Sequence, residues 1–274
     1  MNISRLSFDL DSLANEMLGN WPESEFISKT STWLDPEFGG GQFLKAVENR
    51  LREYGHSDEN IKSRVFGYET SDLRINFARN RNKIIGTLRK GEPNEMKHHN
   101  IITNPNYAGD GADPDRPKGG DSNKPWTETL NMLLNERLHD GGNLGYVCPG
   151  TWTAGLKNAN NNTNILNDII KTYDTKSIRT DVRENHFPKI QMKSITRFIL
   201  NKTKTYPNQV TINGDKVTNF QNWNVIPLSK LGQKIMSSEI FSGYDKFDFE
   251  MIRTAFDDSE WNETLDDAIE AVAK

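Results

Sequence analysis

From about residue 31 to residue 148 the chain alternates short apolar runs with apolar residues at helical spacing. That alternation admits few folds, because it is the signature of βαβ units closing a mostly parallel sheet. Trp33 and Leu34 end a first strand; Phe43, Val47 and Leu51 then recur on a helix that Gly55 stops. Val65–Glu69 reads as a second strand, followed by a helix carrying Leu73 and Phe77 and a third strand over residues 83–87. Residues 100–103 form a fourth strand, ended by Asn104-Pro105 because proline cannot donate to a ladder. Trp126, Leu130, Leu133, Leu134 and Leu138 lay a stripe on a helix that stops at Asp140-Gly141-Gly142, and residues 144–147 return as a strand. Ile165, Leu166, Ile169 and Ile170 mark another helix and residues 195–200 a further strand, after which the alternation fades. The fold class is α/β.

With 274 residues, the chain fits one large α/β domain with an appendage better than two full domains. Hydrophobic residues at 34% and six tryptophans are enough for a core. No apolar run reaches a membrane span and no signal peptide is read at the N-terminus, so no membrane association is expected. A single cysteine, Cys148, excludes an internal disulfide and points to the cytoplasm, where the Asn-x-Ser/Thr matches at Asn162 and Asn201 are chance.

Three stretches carry chemistry. The first, Asp35-Pro36-Glu37-Phe38-Gly39-Gly40-Gly41-Gln42-Phe43, runs from a strand through a glycine turn into a helix. Such a turn lets the backbone approach a ligand at the carboxyl edge of a parallel sheet. The second is Glu69, whose carboxylate at the end of the second strand is placed to accept ribose hydroxyls. The third is the turn Asn104-Pro105-Asn106-Tyr107. After it, residues 108–124 hold four glycines, two prolines and four aspartates, a long loop of the kind that closes over a ligand.

The first stretch resembles the cofactor motif of amino-methyltransferases, Asp-Pro-x-x-Gly-x-Gly-x-Phe, and the third resembles their Asn-Pro-Pro-Tyr. Trp126, Gly141-Gly142, residues 146–149 and Trp152 are similar to the segment after that motif in Eco57I-like and phage-type DNA adenine-N6 methylases, and Phe187-Pro188 and residues 197–202 to their later strand pair. The resemblance implies a Rossmann-like methyltransferase sheet, mostly parallel with an antiparallel last strand, over residues 1–202. A small C-terminal extension, residues 203–274, would combine a target-recognition region with an acidic helical tail. It implies S-adenosylmethionine as cofactor, held by Asp35, Pro36, Phe38, Gly39, Gly41, Phe43 and Glu69. Asn104, Pro105, Asn106 and Tyr107 would form the catalytic corner on a flipped adenine in double-stranded DNA. No metal is implied, and in restriction-modification any endonuclease would be a separate partner.

Asn106 departs from the family pattern by standing where proline is usual, which loosens the turn. Between Gly86 and Lys90 no acidic or amide residue offers a contact to the cofactor's adenine. His98 and His99 point to opposite faces of a strand and read as surface or strand-flanking residues. Cys148 reads as a small core residue, and Asp110, Asp113 and Asp115 lack the spacing of a calcium loop. Although the net charge is −4, residues 176–216 hold nine Lys/Arg against three Asp/Glu and residues 239–270 two against eleven, so the first stretch is the candidate for phosphate contacts. Phe249, Ile252 and Phe256 fit an amphipathic helix in the second. The alternatives are methylation of cytosine N4, RNA or a protein glutamine, and a non-catalytic DNA-binding or interaction protein on the same fold.

Overall fold

The computed structural model describes residues 4–93, 96–105, 125–154, 164–187 and 194–226. Nine strands form one sheet in the order β3-β2-β1-β4-β5-β7-β6-β8-β9. They are β1 (Trp33–Asp35), β2 (Val65–Glu69), β3 (Thr87–Lys90), β4 (His98–Thr103), β5 (Leu138–Pro149), β6 (Tyr173–Arg179), β7 (Ile195–Lys204), β8 (Val210–Ile212) and β9 (Asp215–Val217). Strands β3, β2, β1, β4 and β5 are mutually parallel, whereas β7 runs antiparallel to both β5 and β6. This is the mostly parallel α/β sheet that the resemblance implies, with β7 as the antiparallel last strand of residues 1–202 and β8 and β9 following it. Strand order reverses between β1 and β4, and open α/β sheets bind ligands at such a switch point.

Helices cover both faces. On one side lie α1 (Ser4–Gly19), α2 (Glu23–Ile27), α3 (Gln42–Glu53) and α4 (Asp58–Arg64), with Leu13, Met17, Phe43, Val47 and Leu51 in a shared core. The N-terminal helices, unforeseen in the sequence, are seated by aromatic packing of Trp21 and Phe26 on Trp33, with ring centroids 5.3 and 5.2 Å apart. Trp21 also donates its indole N–H to Asn100. Asn100 receives a second bond from Asn143, which in turn accepts one from Asn201, so a ladder of side-chain amides crosses β4, β5 and β7. On the other side α6 (Pro125–Met132) and the turns at Ile165–Ile170 and Phe220–Asn222 pack Trp126, Leu130, Leu166, Phe220 and Trp223 against the sheet. The remaining helices are α5 (Asp72–Asn80) and α7 (Val182–His186).

Several sequence expectations shift. The third strand begins at Thr87 rather than residue 83, because the backbone N–H groups of Ile85 and Gly86 are held by the buried carboxylate of Glu48 instead of a ladder. Leu73 lies on α5 as expected but faces outward, and Ile75 and Ala78 make the buried contacts. The stripe over 126–138 does not stay helical to its end: α6 gives way to a π turn over Leu133–Arg137, and Leu138 already belongs to β5. Gly141-Gly142 therefore lies inside a strand, where pairing of β4 with β5 shifts register between His98 and Asn100. Gly141 has φ 73°, and a Cβ on Gly142 would stand 2.8 Å from the His99 carbonyl. Such a bulge needs glycine. Strand β6 went unread because Thr175 and Ser177 are two of its buried residues, which hides the apolar alternation. Beyond residue 202, β8 pairs with β6 and turns through Asn213-Gly214 into β9, so the described part of the extension continues the same sheet. The acidic stretch lies outside the described residues.

Gly142→Ala is expected to destabilise the protein by about 1–3 kcal/mol, since backbone rather than a flexible side chain must move. A urea denaturation curve with a lowered midpoint and unchanged slope checks it.

Candidate active site

The glycine turn leaves β1 at the switch point. The Phe38 N–H donates to the Tyr68 carbonyl at 3.1 Å, tying the turn to β2, and the Gly41 N–H donates back to the Phe38 carbonyl at 2.7 Å. Gly39 and Gly41 adopt φ of 54° and 85°, which favour glycine. At Gly41 a Cβ would also lie 3.1 Å from the Ala78 Cβ, so the turn packs against α5 as α3 begins. Pro36, Phe38 and Phe43 are buried around it.

Asp35, the last residue of β1, is 1% exposed. Its Oδ1 accepts the Thr103 hydroxyl at 2.8 Å and the Glu37 N–H at 3.3 Å. Burial pushes its carboxyl up to about 7; those two hydrogen bonds oppose the shift, and the charges of Glu37 and Glu69 reinforce it. Glu69 is buried at the end of β2, with Oε1 accepting from the Ser71 N–H at 3.0 Å and Oε2 lying 3.4 Å from Arg74. The carboxyl edge of β1 and β2 thus gathers Asp35, Glu37 and Glu69.

Thr103 is the last residue of β4, so its bond to Asp35 brings the glycine turn and the Asn104-Pro105 corner to neighbouring strand ends. Asn104 is half-buried and Pro105 buried. Asn106, Tyr107 and the loop over 108–124, with Asp110, Asp113 and Asp115, lie outside the described residues. Strand β3, displaced along the sequence, delivers Gly91 and Glu92 to this same edge: Glu69 pairs with Lys90, the Gly91 N–H donates to the Glu69 carbonyl, and Glu92 is exposed. Because β3 runs on to Lys90 instead of ending at residue 87, this acid stands two residues past the strand, outside the window from Gly86 to Lys90.

Cys148 is fully buried and its thiol is pushed up to about 12 by burial, which fits a core residue. His98 and His99 do face opposite ways, but His98 is buried rather than at the surface; burial, with His139 and His99 nearby, brings its ring down to about 4. Among the described residues no group of three or more His, Cys, Asp or Glu is arranged to hold a metal, and no helix is long and apolar enough to cross a membrane. The basic stretch is divided. Lys176 pairs with Asp174, Arg179 with Asp181, Arg197 with Glu16 and Lys202 with Asp140. Arg197 is 2% exposed, so it is closed to a phosphate backbone.

Raised in the folded state above its ordinary 3.8, Asp35 favours folding fully at acid pH, and that contribution is lost as pH climbs through about 7. Asp35→Asn keeps a hydrogen-bond acceptor without the charge. Its melting temperature is expected to match the parent near pH 4 and to exceed it increasingly up to pH 7, as thermal melts across that range would measure.

No family model matches the sequence, and no curated protein matches it. Solved structures do. A protein assigned as a modification subunit of a type I restriction enzyme from Vibrio vulnificus is 16% identical with a TM-score of 0.51, over 71% of this chain and 44% of that one. A protein assigned as a class I S-adenosylmethionine-dependent methyltransferase from Listeria monocytogenes is 15% identical with a TM-score of 0.52, over 77% and 66%. The M protein of the type I restriction enzyme EcoKI is 18% identical with a TM-score of 0.51, over 77% and 48%. The chain spans less than two thirds of the length of each of these three structures, and what it shares with them is the class I methyltransferase fold.

Proposed function

We propose that this chain is an S-adenosylmethionine-dependent DNA methyltransferase that modifies the exocyclic N6 amine of an adenine flipped out of double-stranded DNA. One observation carries the reading: a fully buried carboxylate, flanked by two further acids, stands at the switch point of a methyltransferase sheet and is bonded to the residue before an Asn-Pro corner. An acidic edge of that kind suits a cationic ligand. S-adenosylmethionine fits it: the ligand is a cation, its ribose matches Glu69, and the left-handed glycines leave the backbone open to it. When bound, it supplies an electrophilic methyl group.

The chain's own residues do the rest. Asp35 and the turn from Pro36 to Phe43 hold and orient the donor, Glu69 accepts the ribose hydroxyls, and Glu92 is assigned to the adenine amine of the cofactor. The lone pair of a base amine is delocalised into the ring. By accepting its two hydrogens, the Asn104 side-chain oxygen and the Pro105 carbonyl localise that pair on nitrogen, and Tyr107, with Asn106 in the same turn, stacks on the extruded base. Held by Asp35, Glu69 and the glycine turn, the donor would supply its methyl group to the amine nitrogen that Asn104 and Pro105 orient, with sulfur keeping the electron pair of the bond it loses and one amine proton passing to solvent. Positioning supplies much of the acceleration. Residues 1–202 form the catalytic unit in this reading and 203–274 the target-recognition extension with its acidic tail. The setting is the cytoplasm, with any restriction endonuclease a separate protein.

Radiolabelled S-adenosylmethionine incubated with unmodified DNA, followed by digestion to nucleosides, tests the reading. Label is expected in N6-methyl-2′-deoxyadenosine, and Asn104→Ala is expected to reduce transfer by at least ~100-fold. Label in N4-methylcytosine, RNA or a protein amide would redirect the substrate, and no transfer would leave a binding protein on this fold.

A further inference from the structure

The bond between Thr103 and Asp35 joins the two halves of the site, and the chemistry of position 103 shows how unusual it is. Thr103 is 0% exposed and follows Ile101 and Ile102, also wholly buried, along a central strand. A valine there would keep the β-branched shape and the burial without enclosing a polar atom. Threonine instead encloses a hydroxyl, and β1 ends on a carboxylate that is equally enclosed. Burying either group is costly unless it is paired, and the 2.8 Å bond is the pairing. The hydroxyl serves nothing in the strand ladder. What it does is join the strand that begins the glycine turn to the residue immediately before Asn104.

We propose that Thr103 is a positioning residue: its hydroxyl, clamped on Asp35, sets where β4 ends and therefore where Asn104 and Pro105 stand relative to the methyl donor. This rests on the proposed function above and adds to it a communication between the two sites. A cation entering beside Asp35 strengthens the carboxylate's claim on its hydrogen bonds, so occupancy of the donor pocket stiffens the amine-binding corner through one side chain. Without the hydroxyl the donor still binds through the glycine turn and Glu69, but the corner loses its anchor. A misplacement of about 1 Å at a reacting centre costs on the order of 100-fold in rate.

The test compares the full-length protein with Thr103→Val and Thr103→Ser. Binding of S-adenosylmethionine is measured first by calorimetry across pH 5.5 to 9, then single-turnover methyl transfer to DNA. Thr103→Val is expected to lower the transfer rate by roughly 100-fold while changing the cofactor Kd less than about threefold at pH 8. It is also expected to move the acidic limb of cofactor binding to higher pH, since the carboxylate loses a bond that favours its charged form. Thr103→Ser keeps the hydroxyl and is expected to restore both. If Val does not melt cooperatively, Thr103→Ala carries the same comparison. Transfer by Thr103→Val at the parental rate, an unmoved acidic limb, or Ser and Val impaired alike overturns the proposal while leaving the function intact. A parental protein that neither binds the cofactor nor transfers methyl overturns the function, and the coupling with it.

Discussion

Parallel pairing of β1 with β4 is the constraint on which the site depends. It is short, with Trp33 opposite Asn100 and Leu34 opposite Ile101, yet it is where the strand order reverses. At such a reversal the connections leaving the two strands pass to opposite sides of the sheet, which opens a crevice that backbone alone cannot fill. The glycine turn enters from one strand and the Asn-Pro corner from the other. The Thr103 to Asp35 bond closes the floor between them. A carboxylate so thoroughly removed from water works against the stability of the folded chain, which is the behaviour expected of a group kept for a ligand rather than for packing.

The distribution of charge follows from the same topology. Because β7 runs against β5 and β6, its first residues lie at the carboxyl edge and its last at the opposite end. Arg197 and Lys202 are five positions apart in sequence but are carried apart by the strand, and each is answered by a local acid, Glu16 or Asp140. What reads as a +6 stretch is thus spread over the sheet and partly neutralised. The pairs of Lys176 and Arg179, which stay partly open to solvent on both sides, contribute little to stability. The effect of the pairing is to reduce the positive field that Lys176, Arg179 and Lys202 would otherwise present to a phosphate backbone, leaving Lys204 and Lys216 exposed.

Much of the fold was legible because its elements are local. The periodicity of Phe43, Val47 and Leu51 and the stop at Gly55 mark α3 without reference to anything distant, and Val65–Glu69 is bounded by its own residues. Elements whose character depends on neighbours were misread. Strand β6 buries Thr175 and Ser177, with the Thr175 hydroxyl bonded to the Ile170 carbonyl, and β3 starts late because Glu48 from α3 claims the preceding N–H groups. Gly141-Gly142 looked like a helix stop and lies within a bulged strand, since a glycine pair reports only that the backbone needs freedom there.

By itself the sequence determined the α/β class, the glycine turn, the acid at the end of β2 and the Asn-Pro turn after β4, because each is written in residues adjacent along the chain. Only the tertiary structure decided that Asp35 is enclosed and bonded to Thr103, 68 residues away, that Glu92 reaches the same edge, and that the basic stretch divides. The physical reason is that burial and hydrogen bonding between strands belong to the packed sheet: a carboxylate's neighbours, and hence its charge, are set by residues that no local pattern brings together.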